Sequence, residues 1–171
     1  MNSHVESLHC QIDRFSKLIG KAVSWLTFVM VLTMTLVVVL RYGFDMGWIW
    51  MQESILYLHA FTIALAMSHT LLLDEHVRVD IFYRRKSANK KGKINVFGHI
   101  FFLFPTCLFI LFKSWDYVAQ SWAIGEASQE AGGLPFLYIL KTTLIIMPLM
   151  LIFQGVSEIL KELTSQTGEQ H

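Results

Sequence analysis

The sequence predicts an all-α integral membrane protein of four transmembrane helices, with both termini cytoplasmic. Three observations carry that reading. The 171-residue chain is 54% hydrophobic and only 16% charged, whereas soluble domains are about one-quarter charged. Four stretches are long and uncharged enough to cross a hydrocarbon core of ~30 Å. The basic residues around them are sorted to one side. The same composition excludes a disordered chain or a nucleic-acid-binding protein, which would show low hydrophobicity or strong net charge, against +1 here. Two cysteines, Cys10 and Cys107, make no disulfide framework.

The first span, Ala22 to Leu40, is 19 residues without Asp, Glu, Lys or Arg. Arg14, Lys17 and Lys21 precede it as they would a signal peptide. The apolar stretch exceeds the usual h-region of about 7–15 residues, however, and Val38-Val39-Leu40 runs into Arg41, not a small-residue cleavage site. It is therefore read as a retained helix. Ser54 to Leu73 gives 20 uncharged residues and Ile94 to Phe112 another 19. The segment Lys113–Trp122 is amphipathic enough to continue the third helix past the hydrocarbon. In the fourth span, Thr142 to Ser157 is 16 residues, but Leu134 to Leu140 is also apolar. A helix from about Tyr138 to Leu160 then spans, with Lys141 snorkelling. Gly132-Gly133 and Pro135 punctuate the loop before it and place its start near Leu137. The chain thus reads as one membrane domain over residues 1–165, with spans at about 19–41, 54–73, 94–113 and 138–160, and a polar tail at 166–171.

Orientation follows from the basic residues. Arg78, Arg84, Arg85, Lys86, Lys90, Lys91 and Lys93 crowd the loop between spans two and three. With the three N-terminal basics and Lys161, one side holds eleven of the fourteen Lys and Arg. Arg41, Lys113 and Lys141 lie opposite. That asymmetry puts the middle loop and both termini in the cytoplasm. Trp48, Trp50, Trp115 and Trp122 gather toward the other face as an interfacial belt.

The spans are poorly equipped to carry a charged solute. No fixed charge falls inside the first three, and the first two lack Gly and Pro, so their helices are expected to be unbroken. Pro105 and Pro148 predict kinks in helices three and four. Thr27, Thr33, Thr35, Thr62, Ser68, Thr106 and Gln154 are expected to bond their own backbone or a neighbouring helix. No catalytic constellation, metal centre or cofactor is expected. His76 with Asp74, Glu75 and Asp80 offers ligand types for a divalent ion, but the spacing enforces no geometry. The runs Arg84-Arg85-Lys86 and Lys90-Lys91-Lys93 suit anionic lipid headgroups. The alternative function is a haem-binding membrane anchor of a redox complex, with His69 and His99, at similar depth, as axial ligands.

Two groups of residues carry a family resemblance. In the first half they are Arg41-Tyr42 ending helix one, Trp50 and Glu53 opening helix two, and His76-Val77-Arg78-Val79-Asp80 just beyond it. In the second half they are Glu126, Ser128, Gly132-Gly133-Leu134-Pro135, Lys141, Pro148 and Gln154. From about Arg41 to Glu158 the chain resembles the small membrane subunit of tripartite ATP-independent periplasmic (TRAP) transporters, with Gln52 where many members carry a second acidic residue. The resemblance implies a bacterial inner-membrane complex. In it a periplasmic binding protein delivers a small organic acid, a large permease subunit carries it with sodium, and the small subunit braces that permease. Its implied partners are therefore the large subunit, the binding protein and membrane lipids, with no nucleic acid. Candidate contacts to the large subunit are Arg41, Trp48, Trp50, Glu53, His76, Arg78, Asp80 and Lys141. Glu126, Ser128, Gly132, Gly133 and Pro135 are candidates for the periplasmic loop. Arg41 and Glu53 bound one short outer loop, where they are expected to pair with each other or with the large subunit.

Overall fold

The computed structural model describes residues 2–74 and 88–168, with side chains over 9–74, 91–162 and at 164. Every regular element among them is helical: α1 (Asn2–Gly43), α2 (Ile49–Leu72), α3 (Ala88–Gly98), a π turn (His99–Leu103), α4 (Phe104–Ile124), α5 (Leu137–Lys141) and α6 (Thr143–Gly168). Four stretches are long and apolar enough to cross a membrane: His9–Gly43, Ile49–Leu72, Lys91–Ile124 and Leu137–Glu162. The pairs α3–α4 and α5–α6 thus each act as one rod.

Helix α1 has 42 residues, about 63 Å at 1.5 Å per residue, so its first turns stand outside a ~30 Å core. It turns into α2 over residues 44–48, where Phe44 and Met46 both donate backbone N–H bonds to Leu40 O and Asp45 is left-handed at φ 52°. The short linker makes α1 and α2 antiparallel neighbours. The α3–α4 rod does continue through Lys113–Trp122 and ends at Gly125, whose φ of 57° suits a residue without Cβ. Glu126 N–H bonds Ser121 O and Gly125 N–H bonds Trp122 O, so the last carbonyls of α4 are satisfied.

The disturbance expected at Pro105 takes a specific form. Pro105 has no N–H for the Phe101 carbonyl, and its ring crowds that turn. The helix answers with the π turn just before it, in which Phe104 N–H reaches back five residues to His99 O. Pro148 is fully buried inside α6. The last rod is also interrupted at Thr142, a break the sequence reading lacked. There the Thr142 and Thr143 hydroxyls donate to Tyr138 O and Leu140 O at 2.8 and 2.7 Å, competing for helical carbonyls.

Helix α6 is the central element, packing against α1, α2 and the α3–α4 rod. Leu71, Cys107 and Leu151 form the buried core, with Met67, Leu103, Met147 and Ile152 around them. Close helix approach depends on small residues. Ser16 and Gly20 of α1 and Ala64 and Ser68 of α2 are all buried, each pair being a small-xxx-small repeat. A Cβ on Gly20 would lie 2.5 Å from the His69 ring, and one on Gly155 would lie 2.7 Å from Leu103 Cδ2. The outer helix faces are apolar and exposed, as lipid contact requires: Val31, Leu32, Val38 and Val39 on α1, and Phe109 and Phe112 on α4.

Candidate functional site

Polar side chains gather into two junctions, one at each end of the bundle. At the distal end, where α2 begins and α4 finishes, the loop over residues 125–136 folds back onto the first turns of α2. Ser128 Oγ donates to Glu53 Oε1, and Leu134 N–H donates to Glu53 Oε2 at 2.6 Å. The loop is closed on itself by Ser128 N–H to Leu134 O, Gly133 N–H to Glu130 O, and Glu130 N–H to Ser128 Oγ. Gly132 takes φ 83°, and a Cβ on Gly133 would collide with Ser128 Oγ and crowd Glu53. The glycine pair therefore lets the loop reach one carboxylate.

Beside it, Lys141 forms an ion pair with Glu126 and sits 4.0 Å over the Tyr117 ring. Trp122 Nε1–H donates to Thr142 Oγ1 at 3.0 Å, and its ring meets Tyr138 edge-on. The Glu126 carboxyl is held below the usual carboxylate range, first of all by its hydrogen bond from Lys141. Lys141 is thus paired within the protein, tying the loop to the last rod.

At the other end, where α1 begins and α6 finishes, Asp13 is the hub. Its Oδ1 accepts from Ser157 Oγ at 2.8 Å and Gln154 Nε2 at 3.2 Å, and its Oδ2 accepts from Lys161 Nζ at 2.7 Å. Ser16 Oγ donates to Gln154 Oε1 at 2.7 Å, and Glu158 Oε1 accepts from Gln154 Nε2 and Lys161 Nζ. Gln154 and Ser157 have no exposed surface at all. Such groups need partners in an apolar surround, and α1 and α6 supply them mutually.

Of the sequence candidates, the structure brings together Glu53, Ser128 and Gly133, and separately Glu126 and Lys141. Gly132 and Pro135 shape the same loop. Arg41, Trp48 and Trp50 are exposed on the distal rim and take no part in either junction. Arg41 and Glu53 do not pair with each other; the folded-back loop supplies the Glu53 donors instead. His76, Arg78, Asp80, Arg84, Arg85 and Lys86 lie outside the described residues, as does the Lys90 side chain. Lys91 is half-buried and Lys93 exposed at the start of the third rod. Sequence reasoning named Gln154 as a helix-bonding residue but missed Asp13, Ser16, Ser157 and Glu158. One signal pointed to part of this junction, the Ser16-x-x-x-Gly20 repeat. The two histidines of the haem alternative face different neighbours: His69 packs on Gly20 of α1, and His99 approaches Gly155 of α6 with Nδ1 2.8 Å from Asn95 O.

The Glu53 geometry predicts a loop-specific phenotype. Glu53→Ala removes both anchors, so a glutamate-specific protease should cleave after exposed Glu130 several-fold faster than in wild type, and Glu53→Gln should restore part of the protection. Equal cleavage rates in all three proteins would show that these bonds do not hold the loop.

No curated protein and no solved structure matches this chain. The model of tripartite ATP-independent periplasmic transporters, DctQ component, matches residues 30–165, a stretch that takes in the distal junction and the α6 half of the other. With most of its length covered, the chain belongs to the DctQ component family of TRAP transporters.

Proposed function

We propose that this chain is the small, non-translocating subunit of a sodium-coupled, binding-protein-dependent uptake system for a small organic acid. In this reading it sits in a bacterial inner membrane with both termini cytoplasmic and braces the large permease subunit. The family match over residues 30–165 carries the proposal; the family is one of transporter components that work with a large permease and a binding protein. The distribution of charge supports a bracing role. Among the described residues, Lys141–Glu126 ties the distal loop to the last rod and Lys161–Asp13 ties α1 to α6, where they fix positions at the two ends of the bundle, and the runs 22–40, 54–73, 94–112 and 142–157 between those ends carry no Asp, Glu, Lys or Arg. Arg41, Trp48 and Trp50, exposed together on the distal rim, are the side chains we assign to the large subunit. Glu53 acts indirectly, by shaping the loop beside them. His76, Arg78 and Asp80 are assigned to the partner, and Arg84, Arg85, Lys86, Lys90, Lys91 and Lys93 to headgroups.

Reconstituted alone in liposomes under an inward sodium gradient, this chain should accumulate no organic acid. Adding the large subunit and binding protein encoded with it should give uptake, and omitting this chain should abolish that uptake. Uptake by this chain alone, or full uptake without it, would refute the bracing role.

The orientation has its own check. Cysteine introduced at exposed Gln129 should react with an impermeant maleimide in intact cells, and cysteine at Ser87 should react only after the membrane is opened. The reverse pattern would invert the assigned faces.

A further inference from the structure

The outer face of α1 near its start has a built-in polarity that neither junction uses. Between His9 and Gly43 the chain holds one acidic residue, Asp13, and it is turned into the bundle and neutralised by Lys161. Arg14, Lys17 and Lys21 remain exposed with no ion-pair partner among the described residues. At about 100° per residue these three, with Leu18, Trp25 and Phe28, fall within roughly 100° of the helix circumference, opposite the buried Ser16, Gly20 and Val23. The basic residues come first along the axis and the aromatics follow. Lys21 is the last charge before the uncharged 22–40 stretch, so it marks the hydrocarbon boundary. Trp25 and Phe28 lie about 6 and 10 Å deeper. Their rings meet edge to face at 6.0 Å and, with Ser24, wall an apolar notch of about 300 Å³ open to the outside of the bundle.

We infer that this stripe binds an anionic phospholipid, its phosphate held by Lys17 and Lys21 with Arg14 behind them, and one acyl chain lying in the Trp25–Phe28 notch. The charge pattern selects the occupant. An apolar partner helix would leave three cations unpaired at its end, and a zwitterionic lipid would offset each anionic contact with its own ammonium. A basic side chain at an anionic membrane surface is worth about fivefold in partitioning, so two of them are expected to give a preference on the order of tenfold or more. The inference needs only membrane insertion of α1, not the transport role or the orientation.

The test is tryptophan quenching by brominated lipids in nanodiscs, with the Trp25 contribution taken as the difference between wild type and Trp25→Phe. At equal low mole fraction, brominated phosphatidylglycerol should quench Trp25 much more than brominated phosphatidylcholine. In the Lys17→Gln/Lys21→Gln protein, whose substitutions touch only exposed positions, that preference should vanish while quenching by the zwitterionic lipid persists. Equal quenching by both lipids in wild type would show an unselective lipid contact and overturn the inference. So would a preference that survives the double substitution. Preferential quenching that is absent in wild type, together with shielding of Trp25 by the large subunit, would assign the face to protein instead.

Discussion

Asp13→Ala should loosen the bundle by about 2–3 kcal/mol. Three donors from α6 end on this carboxylate. Hydrogen bonds between membrane helices average ~0.6 kcal/mol each, which gives about 2 kcal/mol before any penalty for stranded charge. Breaking a buried ion pair costs ~3–5 kcal/mol, but Asp13 and Lys161 keep 18% and 29% of their side-chain surface, so only part of that applies. Lys161 also retains Glu158 at 2.7 Å, which limits the loss. Equilibrium unfolding in mixed micelles, followed by far-UV circular dichroism, measures the difference. Asp13→Asn should recover part of it, since the amide still accepts from Ser157. In a double-mutant cycle, Asp13→Ala and Lys161→Met should couple by about 1 kcal/mol or more. A loss under ~0.5 kcal/mol with no coupling would mean that water already shares these groups.

Gly20→Val is the steric counterpart, with an expected cost of about 3 kcal/mol, at the upper end for overpacking. The added carbons would occupy the space of the His69 ring, 2.5 Å from the first of them. His69 lies on a continuous helix and cannot withdraw far, so relief comes by prising α1 from α2. That movement also stretches the Ser16–Gln154 bond one turn away. Gly20→Ala should cost less, and His69→Ala should rescue Gly20→Val more than it affects wild type. Wild-type stability for Gly20→Val would place the helices farther apart than described.

Much of this architecture was legible in the chain because charge and hydrocarbon are nearly incompatible. Uncharged runs at Ala22, Ser54, Ile94 and Thr142 located four helices, and Gly132-Gly133 with Pro135 marked the start at Leu137. The distal loop residues were legible through family resemblance, though not their arrangement. Glu53 reads as a free interfacial charge until one knows that Leu134 N–H comes to it across 81 residues. The π turn was hidden for another reason. Pro105 announces a disturbance, but whether a helix kinks or widens depends on what packs beside it, here Leu103 and Phe104 against Gly155. Asp13 was hidden by its surroundings, since among Arg14, Lys17 and Lys21 it looks like one more charge of a solvated end.

The span of that Asp13 contact also sets an order of events during synthesis. Ser157 lies 144 residues downstream of Asp13, about 7–30 s of translation at 5–20 residues per second. Throughout that interval α1 is in the bilayer with its acid unsatisfied by α6. A chain truncated before Ser157 therefore carries an exposed carboxylate at the membrane boundary for as long as it exists. The contact between α1 and α6 forms only after the helices between them have been made, and it joins the first of the described helices to the last.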